Sequence, residues 1–216
     1  SQLSADIQAL APGDNALACY CTPKGQVLGL LLVGRVERGF LVAANGTLLP
    51  GILRRLQMYV LRSKVTVRDE PGLAVAGLPG SGYRFVPAGG ETADENAARA
   101  AELRAGVSWL NEHSSEKFIP QMLGFDAIGA VNFQKGCYPG QEIVARARYL
   151  GKVKRKPAIV AAMDAPPAEL GGKVRLMRGG DWADAVVVDQ AADGGSRSGT
   201  PGIERPVPGT AHPGPH

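Results

Sequence analysis

The residues best suited to chemistry lie between 133 and 156, in the run FQKGCYPGQEIVARARYLGKVKRK. Cys137 sits in a glycine-flanked turn, Lys135-Gly136-Cys137-Tyr138-Pro139-Gly140, followed at once by the carboxamide of Gln141 and the carboxylate of Glu142. Glycine permits positive φ and close approach of a ligand, and Pro139 stiffens the turn. A thiol reacts as its thiolate, which nearby cations favour. Lys135 stands two positions from Cys137, and Arg146 or Arg148 adds to the effect where the fold brings it near. By its type alone a cysteine is more commonly a small buried apolar residue, but turn residues on both sides argue against a packed strand interior. The reading taken is a thiol held in place and left reachable, with Cys137 reactive and Lys135 its electrostatic partner.

Other constellations are weaker. Cys19, Cys21 and Cys137 with His113 would make four ligands, but their spacing matches no standard zinc or cluster pattern, so no metal is expected. The basic residues Lys152, Lys154, Arg155 and Lys156 would suit phosphates. No aromatic-rich RNA-binding signature accompanies them, and such a run commonly protects a strand edge. Direct nucleic-acid binding is therefore not expected, with an RNA-binding module kept as an alternative. Trp109 reads as core rather than a ligand platform, and Gln141 and Glu142 also suit backbone donors of the turn.

The elements that must position the loop follow from hydrophobic period and turn chemistry. Strands are predicted over 14–20, 27–36, 40–44, 63–68, 73–76, 83–86 and 128–133, the last delivering the chain to the loop. The run 143–149 also reads as strand, with Arg146 and Arg148 on one face. Helices are predicted from Thr47 through Val60, over 94–106 with Thr92 or Asp94 at its start, and from Ser114 or Ser115 through Met122. Strands, then helix, then strands suggest an α+β sheet with helices on one face. Past Pro157, runs at 158–163, 173–176 and 185–188 could form three strands of a small barrel. From 194 to 216 glycine and proline dominate, a composition that buries too little apolar surface to offset its ordering entropy, and the segment reads as disordered.

The 216 residues allow one or two compact domains, and a net charge of +4 is only a mild bias toward anionic partners. Three cysteines, with Cys19 and Cys21 one residue apart on one strand face, argue against a disulfide framework and fit a reducing cytoplasm. No apolar run approaches the ~20 residues that span a bilayer.

At the loop the sequence resembles the YgfZ-type folate-binding proteins, which support iron–sulfur proteins and are relatives of the aminomethyltransferase of the glycine cleavage system, the T protein. The likeness extends to Tyr20-Cys21-Thr22-Pro23-Lys24-Gly25, to the run RRLQMYVLRSKV from Arg54, to ELRAGV from Glu102 and to FIPQML from Phe118. It covers 1–156, and the family's N-terminal strand and helix are expected to be missing ahead of it. The resemblance implies an aminomethyltransferase-like folate-binding fold over 1–156, in two sheet-bearing halves (1–78 and 79–156), then a partial C-terminal β-barrel over 157–193. It implies tetrahydrofolate held beside Gly136, Tyr138, Gly140, Gln141, Glu142 and Arg146, with a folate polyglutamate tail as an anionic partner for the basic run. It further implies an accessory role in assembly or repair of iron–sulfur clusters in client enzymes, tRNA-methylthiolating ones among them. Where the T protein carries two acidic residues, this chain has Gly29 and Leu30, which cannot act as a base. A one-carbon transferase is thus the alternative function.

Overall fold

The computed structural model describes residues 2–61, 64–78, 82–90, 94–151, 153–161, 168–178, 181–191 and 198–204. Its centre is an antiparallel three-stranded sheet, ordered β1 (Asn15–Cys21), β2 (Val27–Val36) and β3 (Gly39–Ala43). β2 is almost wholly buried because both of its faces are covered, which is why it reads as a continuous apolar run rather than an alternating one.

The two faces carry separate cores. Ala18, Tyr20, Leu28, Leu31 and Val33 pack with Leu3 and with Ile52 of α1 (Leu49–Met58). Cys19, Cys21, Val27, Leu30 and Leu32 pack on the other side with Trp109, Phe118, Phe125, Val131 and Val144. Cys19 and Cys21 therefore do share a strand face, and Trp109 is a core residue, its ring edge-on to Tyr83 at 6.3 Å between centroids. Helices lie on both faces rather than one, since Val144 belongs to α3 (Gln141–Tyr149), opposite α1.

β4 (Leu73–Leu78) and β5 (Gly82–Pro87) pair as antiparallel strands. α2 (Glu95–Arg104) is capped as expected by Asp94, whose carboxylate accepts from the amides of Asn96 and Ala97, and Gly106 ends it at φ +79°. Thr92 lies outside the described residues. At α1, Thr47 is not the cap; its amide and hydroxyl both donate to Asn45.

Several sequence-based expectations fail for local reasons. No strand forms over 64–68, and Ser63 lies outside the described residues. Instead of a helix from 114, turns lead to a 3-10 helix at Pro120–Met122. The segment 128–133 is irregular, with Gly124 and Gly129 at positive φ breaking any strand. It is held instead by single bonds: Ala130 O accepts from the amide of Cys19, and the amide of Asn132 donates to Ser4 O. The run 143–149 is α-helical, not extended. The helix starts at Gln141, and the Gln, Glu, Ala and Arg residues of 141–148 are good helix formers; Glu142 and Arg146 make an i,i+4 pair. Arg146 and Arg148 consequently do not share a face.

Beyond α3, β6 (Lys156–Ala161) pairs with β9 (Ser198–Glu204), and β7 (Lys173–Arg178) pairs with β8 (Asp181–Val186), both antiparallel. No closed barrel forms among the described residues. β9 lies within the segment expected to be disordered, where pairing with β6 supplies order that composition alone does not.

Candidate functional site

The loop starts at Asn132, whose side-chain oxygen accepts from the amides of Gln134 at 2.8 Å and Lys135 at 3.1 Å. Such an Asx turn fixes the backbone locally. It aims the Lys135 side chain at the N-terminal segment, where Nζ donates to Leu3 O at 2.7 Å. The ammonium also stands 5.4 Å from the centroid of Tyr138. Partial burial lowers the Lys135 pKa, opposed by the negative charge of Asp6 and of the Cys137 thiolate.

Cys137 is exposed, whereas Cys19 and Cys21 are buried in the core. Burial, then the charge of Cys21, pushes the Cys19 thiol well up, and burial pushes Cys21 up to about 12. Tyr138 turns inward next to Cys137 and is buried; burial, then Cys21 and Cys19, raises its hydroxyl pKa. An inward tyrosine beside an outward thiol roots the turn in the core and leaves the sulfur accessible.

The far side of the turn is fixed by backbone contact. Gly140 adopts φ +80° at the start of α3, and a Cβ there would strike Thr22 O and lie 2.6 Å from Gly25 Cα. Gly25, at φ +75°, is equally confined: its Cβ would lie 3.0 Å from Ile143 Cβ and 3.2 Å from Gly140 O. The β1–β2 turn and the cysteine turn therefore require glycine of each other. Gln121 supports α3 from below, its Nε2 donating to Val144 O at 2.7 Å, while its Oε1 is buried without a partner.

The remaining expected site residues divide. Gly136 is exposed, with open space around it. Glu142 and Arg146 pair at 3.1 Å on the outer surface of α3. Tyr138 and Gly140 hold the turn. Glu142, Gln141 and Arg146 nonetheless present a carboxylate, a carboxamide and a guanidinium, groups that fit the N–H donors of a pterin and the carboxylates of a glutamate tail. Gly29 and Leu30 face opposite cores: Leu30 is in the cysteine-side core, and a Cβ on Gly29 would meet Ile52 Cδ1 at 2.9 Å. No base stands at either position. Among the described residues, no three His, Cys, Asp or Glu side chains gather as a metal would need.

Sequence reasoning missed Leu3, Asp6 and Asn132. Asn132 was legible, being spaced correctly before two loop amides. The Leu3 carbonyl carries no sequence signal, because its partner is 132 positions away.

The fold and site describe a mixed α/β chain of antiparallel sheets that displays one anchored cysteine turn. No family model matches the chain. It is 29% identical to an uncharacterized protein of Haemophilus influenzae, over 89% of this chain and 76% of that protein. It is 26% identical to the tRNA-modifying protein YgfZ of Klebsiella pneumoniae, over 84% of this chain and 70% of the relative. Together these similarities support a YgfZ-type protein, in line with the resemblance carried by the loop.

Proposed function

We propose that the chain acts in tRNA modification as a tetrahydrofolate-binding accessory protein of YgfZ type, serving assembly or repair of iron–sulfur clusters in client enzymes. The observation that carries the chemical part is the pairing of an exposed Cys137 with a coupled, half-buried Lys135 on a turn locked at both ends. The name of the Klebsiella relative, a tRNA-modifying protein, supports the tRNA-modification context. The thiolate is the form of a cysteine that attacks electrophiles and ligates soft metals. Glu142, Gln141 and Arg146 would hold the folate, which supplies one-carbon chemistry when bound. Reduced cysteines fit work in the cytoplasm, and no helix among the described residues is long and apolar enough to cross a membrane. A one-carbon transferase is disfavoured by the apolar surroundings of Gly29 and Leu30.

Two measurements test the reading. Calorimetry with tetrahydrofolate should give saturable heat that is weakened by Arg146→Ala. In cells lacking their own YgfZ-type protein, the chain should restore tRNA methylthiolation and Cys137→Ala should not. Full restoration by a well-folded Cys137→Ala variant removes the thiol from the function, and absent folate heat removes the cofactor.

A further inference from the structure

The C-terminal end of α3 carries an exposed array of aromatic and cationic groups, of which Arg146 alone is shared with the proposed folate site. Tyr149 is 66% exposed and Leu150 is 86% exposed. The Tyr149 ring meets Phe133 edge-on, at 6.1 Å between centroids and 72° between planes. The guanidinium of Arg148 lies 4.4 Å from the Phe133 centroid. One helical turn back, Arg146 is exposed as well. Arg146 pairs with the exposed Glu142 at 3.1 Å and Arg148 with the partly buried Asp126 at 3.8 Å. A solvent-facing pair such as that of Arg146 and Glu142 is weak, so a phosphate that offers bidentate bonds can replace it.

Core packing explains Phe133 but not Tyr149 or Leu150, whose side chains stand in solvent. We propose that this end of the helix docks unpaired RNA, with a base stacking on Tyr149 and phosphates of the strand meeting Arg146 on one side of α3 and Arg148 on the other. Unpaired strands expose base faces to an aromatic ring, whereas duplex RNA does not. The charge and the stacking surface thus select the same partner. The sequence argument against nucleic-acid binding is the lack of an aromatic-rich RNA-binding signature; the structure brings Tyr149 and Phe133 together beside Arg148. Farther along the chain, Lys154 and Lys156 are also exposed. The inference goes beyond the proposed function, in which support of tRNA modification is indirect.

The test is fluorescence anisotropy of the full chain with a labelled short oligouridine and with a duplex of the same length, over a range of salt. Saturable binding of the single strand is expected, with Tyr149→Ala weakening it about tenfold or more and Tyr149→Trp retaining it. Arg146→Gln should reduce the salt slope by about 0.7. Glu142→Gln should tighten binding by freeing Arg146, a gain that no folding defect can imitate. The face is refuted by absence of saturable binding, by stronger binding of the duplex, or by unchanged affinity of Tyr149→Ala. A chain that binds RNA but fails to restore tRNA modification refutes the functional reading alone; one that restores it without binding RNA refutes this face alone.

Discussion

Gly25 and Gly140 touch backbone to backbone, and neither can carry a side chain: a Cβ on Gly140 would lie 2.6 Å from both Cα and N of Gly25. Both residues hold positive φ. An L-residue in that region costs about 1–2 kcal/mol before any clash. Gly140→Ala is therefore expected to lose at least ~2 kcal/mol in urea unfolding, with the overlap adding to the backbone strain. Gly136→Ala, in open space within the same turn, should stay within ~0.5 kcal/mol of the parent. Equal effects at the two positions would show that the turns do not lock each other.

The thiols should separate by rate. Iodoacetamide at neutral pH is expected to label Cys137 in the native protein while sparing Cys19 and Cys21, which burial protects and whose pKa values it raises. Intact-mass spectrometry should show one adduct natively and three after denaturation. Early labelling of Cys19 or Cys21 would contradict the packing of the sheet face.

Lys135→Ala removes the cation coupled to Cys137. Alkylation of Cys137 should slow by about two- to fivefold, the range for screened attraction between charges at a surface. Lys135→Arg should keep most of the rate, because charge rather than shape acts here. Loss of the bond from Nζ to Leu3 O should cost about 1 kcal/mol of stability. An unchanged alkylation rate in Lys135→Ala would mean that the loop does not activate the thiol.

Asp189 supplies a pH-dependent test of the clasp between α2 and the segment after β8. Its buried carboxylate accepts from Arg99 at 2.6 Å and from the amides of Trp109 and Gln190. Burial nevertheless raises its pKa, against the lowering by Arg99. A raised folded-state value means the folded protein holds this proton more firmly than the unfolded chain. The carboxyl's contribution is complete below the ordinary aspartate pKa and is lost as pH rises through the raised one. Arg99→Ala strands the charge, so it should cost about 3 kcal/mol at neutral pH and progressively less as acid protonates Asp189. Arg99→Met with Asp189→Asn should recover most of that loss. A deficit that does not change with pH would rule out an ionised Asp189 as its cause.

What the sequence determined by itself was local and periodic. The long apolar run of β2, the Asp94 cap of α2, the two glycine-flanked turns and the reachable Cys137 all follow from residue types at short spacing. The loop carried enough identity to point to a YgfZ-type protein without any coordinates. Tertiary structure decided what short spacing cannot encode. Residues 143–149 suit either period, and Val144 packing into the core over Gln121 accompanies the helix. That choice separated Arg146 from Arg148 and put Tyr149 beside Phe133. Lys135 found its anchor at Leu3 because strand β1 carries the N-terminal segment against the 130–135 loop, through Ser4 bonds to Cys19 and Ala130. Contacts of that kind depend on chain closure across more than a hundred residues, so no window of sequence contains them.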